Sequence, residues 1–234
     1  METVILTDPP RPARATVEAF STIGVATVGE AMGRTGSCGS DLRPIQQGVR
    51  VAGTAVTVMS WPGDNLMIHA AIEQCGPGDI LVVTTRSPSE HGMFGELFAT
   101  GLQQRGVVGA IIDGGVRDTQ ELRDMGFPVW ARHVNVMGTV KNTPGAINVP
   151  IVVGGQVIDA GDIIVADDDG LVVVPREGAD DALAASRARL AKEEATRQSF
   201  LGGELGLDRY GMRPVLERLG VTYRRHPLAA AEES

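Results

Sequence analysis

Short runs of β-branched and aliphatic residues alternate with segments of helical periodicity in the first half of the chain, and this alternation limits the possible folds more than any other feature. Strands are predicted over residues 50–60, 79–85 and 107–112, and helices over residues 64–75, 94–104 and 118–125. A strand that is followed by a helix and a further strand is typical of a parallel sheet with helices packed on it. The first half therefore predicts βαβ-like units.

The second half has a different pattern, in which strands are separated by turn residues and followed by one long helix. Strand segments are predicted over residues 128–131, 151–158, 162–167 and 170–175, and a charged helix over residues 179–199. The acidic stretch Asp167–Gly170 lacks the Gly and Glu that a calcium-binding loop needs at its later positions, so we interpret it as a hairpin turn. Together the two halves predict an α/β fold of mixed sheets covered by helices.

Two short helices are predicted before the first strand, over residues 15–23 and 27–34. Glu30 follows Thr27 by three residues, which is the spacing of a capping box. The second helix is therefore predicted to begin at Thr27.

Charge and composition argue against several classes of partner. The formal net charge is −8, and no basic cluster occurs before the last residues, which argues against nucleic-acid binding. Cys38 and Cys75 stand far apart without a metal-like spacing, so we expect reduced thiols in a cytoplasmic protein. No signal-peptide pattern and no bilayer-length apolar run is present, so no membrane partner is expected.

An opposite-charge pair, Arg117 and Asp118, follows an apolar strand and two glycines, Gly114 and Gly115. In one interpretation Asp118 only caps the helix that follows, since Glu121 stands three residues later. In the other the chain turns on the glycines, which let a ligand approach the end of a strand, where α/β sheets bind ligands. Arg grips carboxylates in bidentate fashion and Asp ligates hard cations, so this pair would suit a metal and an anion.

A glycine-rich segment opens the fourth predicted helix and is a second candidate site. The first-turn N–H groups of Gly95, Glu96 and Leu97 would bind an anion without any side chain. A plain glycine-rich turn is the alternative interpretation.

A third candidate is the start of the helix predicted over residues 64–75. Asp64 and Asn65 stand there, where helix capping alone would explain both. His69, one turn after Asn65, is predicted to be a packed helix histidine.

The chain lacks the motifs of phosphate loops, dinucleotide-binding folds, zinc proteases and serine hydrolases. Its two lysines are Lys141, in a loop, and Lys192, in the charged helix. Neither position is expected to shield the lysine from water, as a Schiff-base lysine requires. A metal ion is therefore the better candidate for stabilising a carbanion or enolate.

Three segments resemble the RraA-like family: "PGDNLMIHAAIE", "GELFATGLQQRGVVGAIIDGGVRD" and "VADDDGLVVVP". Within it the chain is most similar to the class II pyruvate aldolases that cleave 4-hydroxy-4-methyl-2-oxoglutarate and 4-carboxy-4-hydroxy-2-oxoadipate. The resemblance runs from about Thr16 to Tyr223. It implies a swivelling β/β/α fold and one domain over residues 1–223 that includes a C-terminal helical extension. The last residues, "RRHPLAAAEES", are expected to form a flexible tail over residues 224–234.

The resemblance also implies roles for particular residues. Asp118 would bind Mg²⁺ or Mn²⁺, with waters as most of the other ligands, and Arg117 would contact the pyruvate part of the substrate. The backbone of Gly95, Glu96 and Leu97 would bind the pyruvate carboxylate. The side chain of Glu96 would touch the water network, and Asn65 would lie in the active site.

Trimers or hexamers are implied as well, with the C-terminal helix packed on a neighbouring subunit. A glutamate of that helix would complete the neighbour's site. Glu193 matches it, and the adjacent Glu194 is the alternative.

The implied reaction is a retro-aldol cleavage. A base removes the proton of the C4 hydroxyl, the C3–C4 bond breaks and the enolate of pyruvate leaves, with a metal ion as Lewis acid. Oxaloacetate decarboxylation passes through the same enolate and is expected as a side activity.

Two other functions stay open, a ribonuclease-binding regulator without catalysis and a dedicated oxaloacetate decarboxylase. The joint presence of the site residues favours the aldolase over the regulator; they are Asn65, Glu96, Arg117, Asp118 and Glu193.

Overall fold

The computed structural model describes residues 3–225. Its strands are β1 (Arg43–Pro44), β2 (Val51–Ser60), β3 (Asp79–Thr85), β4 (Gly92–Phe94), β5 (Gly109–Val116), β6 (Val129–Val134), β7 (Ala146–Ile147), β8 (Ile151–Val153), β9 (Gln156–Ile158), β10 (Ile163–Asp167) and β11 (Gly170–Val174). Its helices are α1 (Arg14–Phe20), α2 (Val25–Ala31), α3 (Leu66–Ala71), α4 (Glu96–Gln104), α5 (Thr119–Asp124), α6 (Ala179–Leu201), α7 (Gly206–Arg209) and α8 (Arg213–Arg218). Single 3-10 turns lie at Ile72–Gln74 and Arg176–Gly178.

A parallel block forms the centre of the main sheet. β2, β3, β5 and β6 are hydrogen-bonded neighbours in the order β6-β5-β3-β2, and all three pairings are parallel. The chain forms α3, α4 and α5 in turn between these strands, which confirms the βαβ prediction for the first half. The carboxyl ends of the four strands therefore meet at one edge of the sheet.

Antiparallel strands extend this block, as the pattern of the second half predicts. β10 pairs with β2, and β11 pairs with β10 through the hairpin predicted at Asp167–Gly170. β8 and β9 form a separate hairpin. The mixed sheet with helices confirms the α/β fold class.

Both faces of the central strands are buried. In β3 the side chains of Leu81 and Val83 join a cluster with α3, α4 and α5, whereas Ile80 and Val82 join a cluster with the β8–β9 hairpin. This division follows from the alternation of side chains along a strand. A third cluster holds α1, α2 and the start of α6 against β10 and β11.

The chain divides into two compact units, Met1–Arg189 and Leu190–Ser234, with the boundary inside α6. The first unit holds the sheet and the three buried clusters. The second holds the end of α6 together with α7 and α8, and none of its residues between 190 and 225 is buried. Most of the tail expected over residues 224–234 lies outside the described residues. No helix within residues 3–225 is long and apolar enough to cross a bilayer.

The strand β5 does not turn at its glycines, so that expectation was wrong. It continues through Gly114 and Gly115 to Val116 and pairs there with β4 and β6. A Cβ atom on Gly115 would lie 2.3 Å from the carbonyl oxygen of Glu90. This glycine therefore makes room for the protein's own backbone, not for a substrate.

The helix α2 begins at Val25, not at Thr27. The carboxylate of Asp167 accepts a hydrogen bond from the amide of Val25 at 3.0 Å. The cap comes from a residue 142 positions away in the sequence, which a local capping-box pattern cannot reveal.

Candidate active site

A cavity of about 200 Å³ lies at the carboxyl edge of the parallel strands. Its walls come from α3, β4, the start of α4, the end of β5 and the loop that follows β6. The polar lining consists of Asn65, His69, the Gly95 backbone, Arg117, Asp118 and Lys141. This position agrees with the rule that α/β sheets bind ligands beyond the carboxyl ends of their strands.

Asp118 occupies the left-handed backbone region, with φ 53° and ψ 40°. Its side chain makes no capping bond to its own helix α5, so the simple capping interpretation was wrong. One carboxylate oxygen instead accepts from the amide of Glu96 at 3.2 Å, at the first turn of α4. The positive end of the α4 dipole attracts the negative charge of this side chain.

The close approach of Asp118 to α4 requires a glycine at position 95. A Cβ atom on Gly95 would lie 2.3 Å from the Asp118 Oδ2 atom. The amide of Glu96 already donates to that oxygen, so a carboxylate that binds this amide must displace it. The anion-binding role of Gly95, Glu96 and Leu97 stays a prediction.

Arg117 is held at its backbone and loosely paired at its side chain. Its amide donates to the carbonyl of Phe94 at 2.9 Å, whereas its Nε atom lies 3.7 Å from the Asp118 Oδ2 atom. The side chain is 46% exposed. The guanidinium therefore keeps donors for a planar anion in the cavity.

Asn65 is buried at the start of α3 and makes no side-chain capping bond. Its Nδ2 atom donates to the carbonyl of Met93 at 3.3 Å, and its Oδ1 atom is buried without a hydrogen-bond partner. Asp64, not Asn65, accepts the amide of Leu66, at 2.9 Å. A buried acceptor without a partner costs about 1–3 kcal/mol, so Asn65 is poised to accept a donor from a bound molecule.

His69 and Lys141 also line the cavity, although the sequence assigned neither a role there. The His69 ring packs on Phe98 with 4.5 Å between ring centroids. Partial burial lowers the pKa of His69, and the positive charge of Lys141 lowers it further. The i, i+4 spacing from Asn65 places His69 on the same helix face, but no sequence signal places the loop residue Lys141.

Glu96 and Leu97 differ in their contact with the cavity, and the role of Glu96 in a water network stays a prediction. The carboxylate of Glu96 accepts a hydrogen bond from the Thr100 hydroxyl at 2.8 Å, one turn along the helix, and this side chain is not part of the cavity wall. Leu97 is 80% exposed and borders the cavity, whereas Phe98 and Leu102 of the same helix are buried. Helix α4 starts at Glu96, so Leu97 lies in its first turn.

Glu193 and Glu194 belong to the second compact unit. Glu194 accepts a hydrogen bond from Gln198 at 2.7 Å and pairs with Arg197, whereas Glu193 is half-buried. Their proposed roles at a neighbouring subunit stay predictions.

The residues of the cavity fit a divalent ion that is held by few protein ligands. Within residues 3–225 no group of three or more His, Cys, Asp or Glu side chains is arranged to hold a metal. Asp118 offers one hard oxygen ligand, and Mg²⁺ commonly keeps several waters beside one or two carboxylates. The buried oxygen of Asn65 is suited to accept a hydrogen bond from such a water.

Comparison with known proteins shows which family this chain belongs to. The RraA-like family model, described as Aldolase/RraA, matches residues 25–173. The chain belongs to the RraA-like family. The matched range includes Asn65, Arg117, Asp118 and Lys141, and it ends before Glu193.

Two bacterial relatives carry the provisional name 4-hydroxy-4-methyl-2-oxoglutarate aldolase. The protein from Halalkalibacterium halodurans is 28% identical over 191 residues, which cover 82% of this RraA-like chain and 91% of the relative. The protein from Burkholderia multivorans is 35% identical over 132 residues, which cover 56% and 80%.

Solved structures of similar proteins show the same fold. Streptomyces coelicolor RraAS2, described as an unusual member of the RNase ES inhibitor RraA protein family, superposes with a TM-score of 0.73 at 28% identity, over 81% of this chain and 99% of that one. RraA from a Thermus species, described as an RNA-processing inhibitor, superposes with a TM-score of 0.60 at 24% identity, over 65% and 92%. The second similarity supports the fold alone.

Proposed function

We propose that this RraA-like protein is a divalent-metal-dependent lyase that cleaves 4-hydroxy-2-oxo acids with two or three carboxylates to release pyruvate. The substrates are 4-hydroxy-4-methyl-2-oxoglutarate, 4-carboxy-4-hydroxy-2-oxoadipate or both. Oxaloacetate decarboxylation is its side activity, and a dedicated oxaloacetate decarboxylase is the nearest alternative.

The observation that carries this proposal is the charge distribution of the cavity. The guanidinium of Arg117 and the ammonium of Lys141 line the same small cavity, with the carboxylate of Asp118 beside Arg117. Two cations suit a substrate with two carboxylates, and one carboxylate suits a metal ion. The cavity of about 200 Å³ is smaller than the roughly 300–1,000 Å³ of drug-sized sites. This size suits a small acid as the substrate.

The residues take separate parts in binding. Arg117 binds the carboxylate of the 2-oxo acid in bidentate fashion, and Asn65 accepts a hydrogen bond through its unpartnered oxygen. Lys141 binds the carboxylate on the C4 half of the substrate, and His69 borders the same region.

The reaction needs one proton removed and one bond broken. Removal of the C4 hydroxyl proton lets the C4 oxygen form a carbonyl as the C3–C4 bond breaks, and the bonding electrons pass into the pyruvate enolate. Protonation of that enolate at C3 completes pyruvate. A bound Mg²⁺ or Mn²⁺ would supply Lewis-acid stabilisation of the charge at the 2-oxo oxygen.

The base for the C4 hydroxyl is assigned to Glu193 from a neighbouring subunit. A carboxylate in contact with the hydroxyl, directly or through water, is suited to this step. The assignment makes the working protein a homo-oligomer, a trimer or a hexamer.

A second candidate function is regulation of a ribonuclease without catalysis. The similarity to the Streptomyces protein over 81% of this chain favours it. A regulator of this kind would not need Arg117, Lys141 and Asp118 around one cavity.

Pyruvate release from the two proposed substrates, with and without Mg²⁺, tests the proposal directly. Protein treated with a chelator should lose activity and regain it with Mg²⁺ or Mn²⁺. Full activity in excess chelator, or borohydride trapping of substrate on Lys141, would overturn the metal mechanism.

Variants of the charge pair sharpen this test. Asp118→Asn should lose roughly 1,000-fold or more in metal-dependent turnover, because Lewis-acid stabilisation contributes several kcal/mol. Arg117→Lys should lose about 100-fold, since an ammonium cannot replace a planar pair of donors. The adjacent Arg123 and Asp124, at the end of α5 and outside the cavity, provide matched controls, Arg123→Lys and Asp124→Asn.

A further inference from the structure

The loop that carries Lys141 is attached to the turn before α3. The amide of Val140 donates to the carbonyl of Gly63, and the amide of Asn65 donates to the carbonyl of Val140, each at 3.0 Å. Lys141 follows directly, and it is exposed. An exposed lysine has a flexible stem, so its position in the cavity depends on the backbone that carries it.

Asp64 makes the central side-chain contacts of this attachment. Its Oδ2 atom accepts from the amides of Asn142 at 2.9 Å and Thr143 at 2.7 Å, on the far side of Lys141. Its Oδ1 atom accepts from the amide of Leu66 at 2.9 Å. Asp64 is 1% exposed, so these bonds form away from water, where a hydrogen bond is electrostatically stronger.

We infer that Asp64 is a positioning residue, which holds Lys141 in the cavity so that its ammonium binds the second carboxylate of the substrate. Asp64 does not touch the substrate and acts through the loop backbone. The inference rests on the proposed function for the role of Lys141, but the attachment of the loop stands on the geometry alone.

Asp64 is bound to α3 through the amide of Leu66 and to the loop through the amides of Asn142 and Thr143. The test must therefore separate these two attachments. Asp64→Ser leaves a short hydroxyl that can accept from Leu66 but cannot reach Asn142 or Thr143. Asp79→Ser is the matched control. Asp79 is also buried and accepts from Gly76 and Arg11, at the opposite end of the sheet.

The probes are pyruvate and 2-oxoglutarate, titrated with Mg²⁺ present. Both carry the 2-oxo acid, and only 2-oxoglutarate carries a second carboxylate. Asp64→Ser should weaken 2-oxoglutarate about tenfold, as expected for one hydrogen bond to a charged group, and leave pyruvate unchanged. Asp79→Ser should change neither affinity.

A double variant tests whether Asp64 acts through Lys141. Lys141→Met should weaken 2-oxoglutarate by a similar factor, and the double variant should bind it no more weakly than Lys141→Met alone. Additive losses, or equal losses for pyruvate and 2-oxoglutarate, would overturn the inference. In the kinetic assay Asp64→Ser should raise KM for the diacid and leave kcat nearly unchanged.

Amide hydrogen exchange gives a readout that does not depend on catalysis. Exchange at Asn142 and Thr143 should become faster in Asp64→Ser and stay unchanged in Asp79→Ser. Unchanged exchange at both amides would refute the attachment itself.

Asp64→Asn serves if the serine variant does not fold, since its single carbonyl oxygen keeps either the loop amides or the Leu66 amide. Amide exchange at Asn142 and Thr143 shows which hydrogen bonds this variant has lost. The affinity for 2-oxoglutarate should fall if these two amides exchange faster and stay unchanged if they do not, and the opposite pattern would contradict the inference. The wild-type protein could bind 2-oxoglutarate more tightly than pyruvate and yet cleave neither proposed substrate. That result would contradict the proposed cleavage reaction but not the positioning role of Asp64.

Discussion

The two compact units of this chain differ in how they are stabilised. The first unit contains three buried clusters on and around one mixed sheet. The second, as far as residue 225, contains no buried side chain; its packing includes the edge-on rings of Phe200 and Tyr210, 6.2 Å apart, and a network around Arg209. Several of its large apolar residues are exposed, among them Leu201, Leu205, Leu219 and Tyr223.

This difference separates two sources of stability. Burial of apolar surface stabilises the first unit from within, whereas the second unit leaves several large apolar side chains exposed. The proposed cover for the second unit is another copy of the chain. Four predictions test this comparison, from the largest expected effect to the smallest.

The largest effect concerns a site shared between subunits. Arg117→Ala and Glu193→Ala should each lose about 100-fold or more, the usual contribution of a positioned base or anion ligand. When the two variants are unfolded and reassembled together, activity should return in part, because some interfaces carry both wild-type residues. Mixed oligomers as inactive as the parents would mean that one chain builds the whole site. A Glu193→Ala variant that keeps its activity would mean that Glu194 is the working glutamate.

The second effect compares apolar residues in the two units. Leu102→Ala, in the buried cluster on α4, should lower the free energy of unfolding by about 2–5 kcal/mol. Leu219→Ala, at a residue 71% exposed, should change it by less than about 0.5 kcal/mol in the monomer and should weaken self-association. Chemical denaturation at several protein concentrations measures both. A large loss in monomeric Leu219→Ala would show that the second unit has a core of its own.

The third effect is the pH dependence of the Asp64 contribution. Burial alone would raise the pKa of Asp64, but the amide hydrogen bonds from Leu66, Asn142 and Thr143 outweigh it and lower the pKa below the ordinary 3.8. The stabilisation is therefore present above the unfolded pKa and is lost as pH falls through the folded pKa. Asp64→Asn should cost about 1–3 kcal/mol at neutral pH, and the difference from wild type should shrink under acid conditions.

A carboxylate of the second unit provides the control for this pH effect. Asp208 is ion-paired with Arg213 and exposed, so Asp208→Asn should leave stability nearly unchanged at every pH. Equal pH profiles for the Asp64 and Asp208 variants would contradict the contrast between the units.

The smallest effect concerns the two lysines, one in each unit. Partial burial lowers the pKa of His69, and the positive charge of Lys141 lowers it further. Lys141→Met should therefore raise that pKa. Lys192→Met removes the same charge from the second unit and should leave it unchanged. NMR titration of the His69 ring measures both, and an equal response to the two variants would mean that His69 senses net charge and not a neighbour.

The local pattern of the sequence was enough to predict most of the elements and the edge of the sheet where the site lies. The runs at 50–60 and 79–85 match β2 and β3 to within a residue, because side-chain alternation and turn residues act over short distances. The charged pair Arg117 and Asp118 was identified for the same reason, since it directly follows a buried strand.

Tertiary structure alone decided which groups meet in the cavity. The left-handed backbone at Asp118 directs its carboxylate to α4, 22 residues back in the chain. Asp64 holds the loop of Lys141 from 78 and 79 residues away. Such contacts depend on how strands are ordered and loops are closed in space, and local periodicity carries no information about either. The close approach of Gly115 to the backbone of Glu90, and not to a ligand, was decided in the same way.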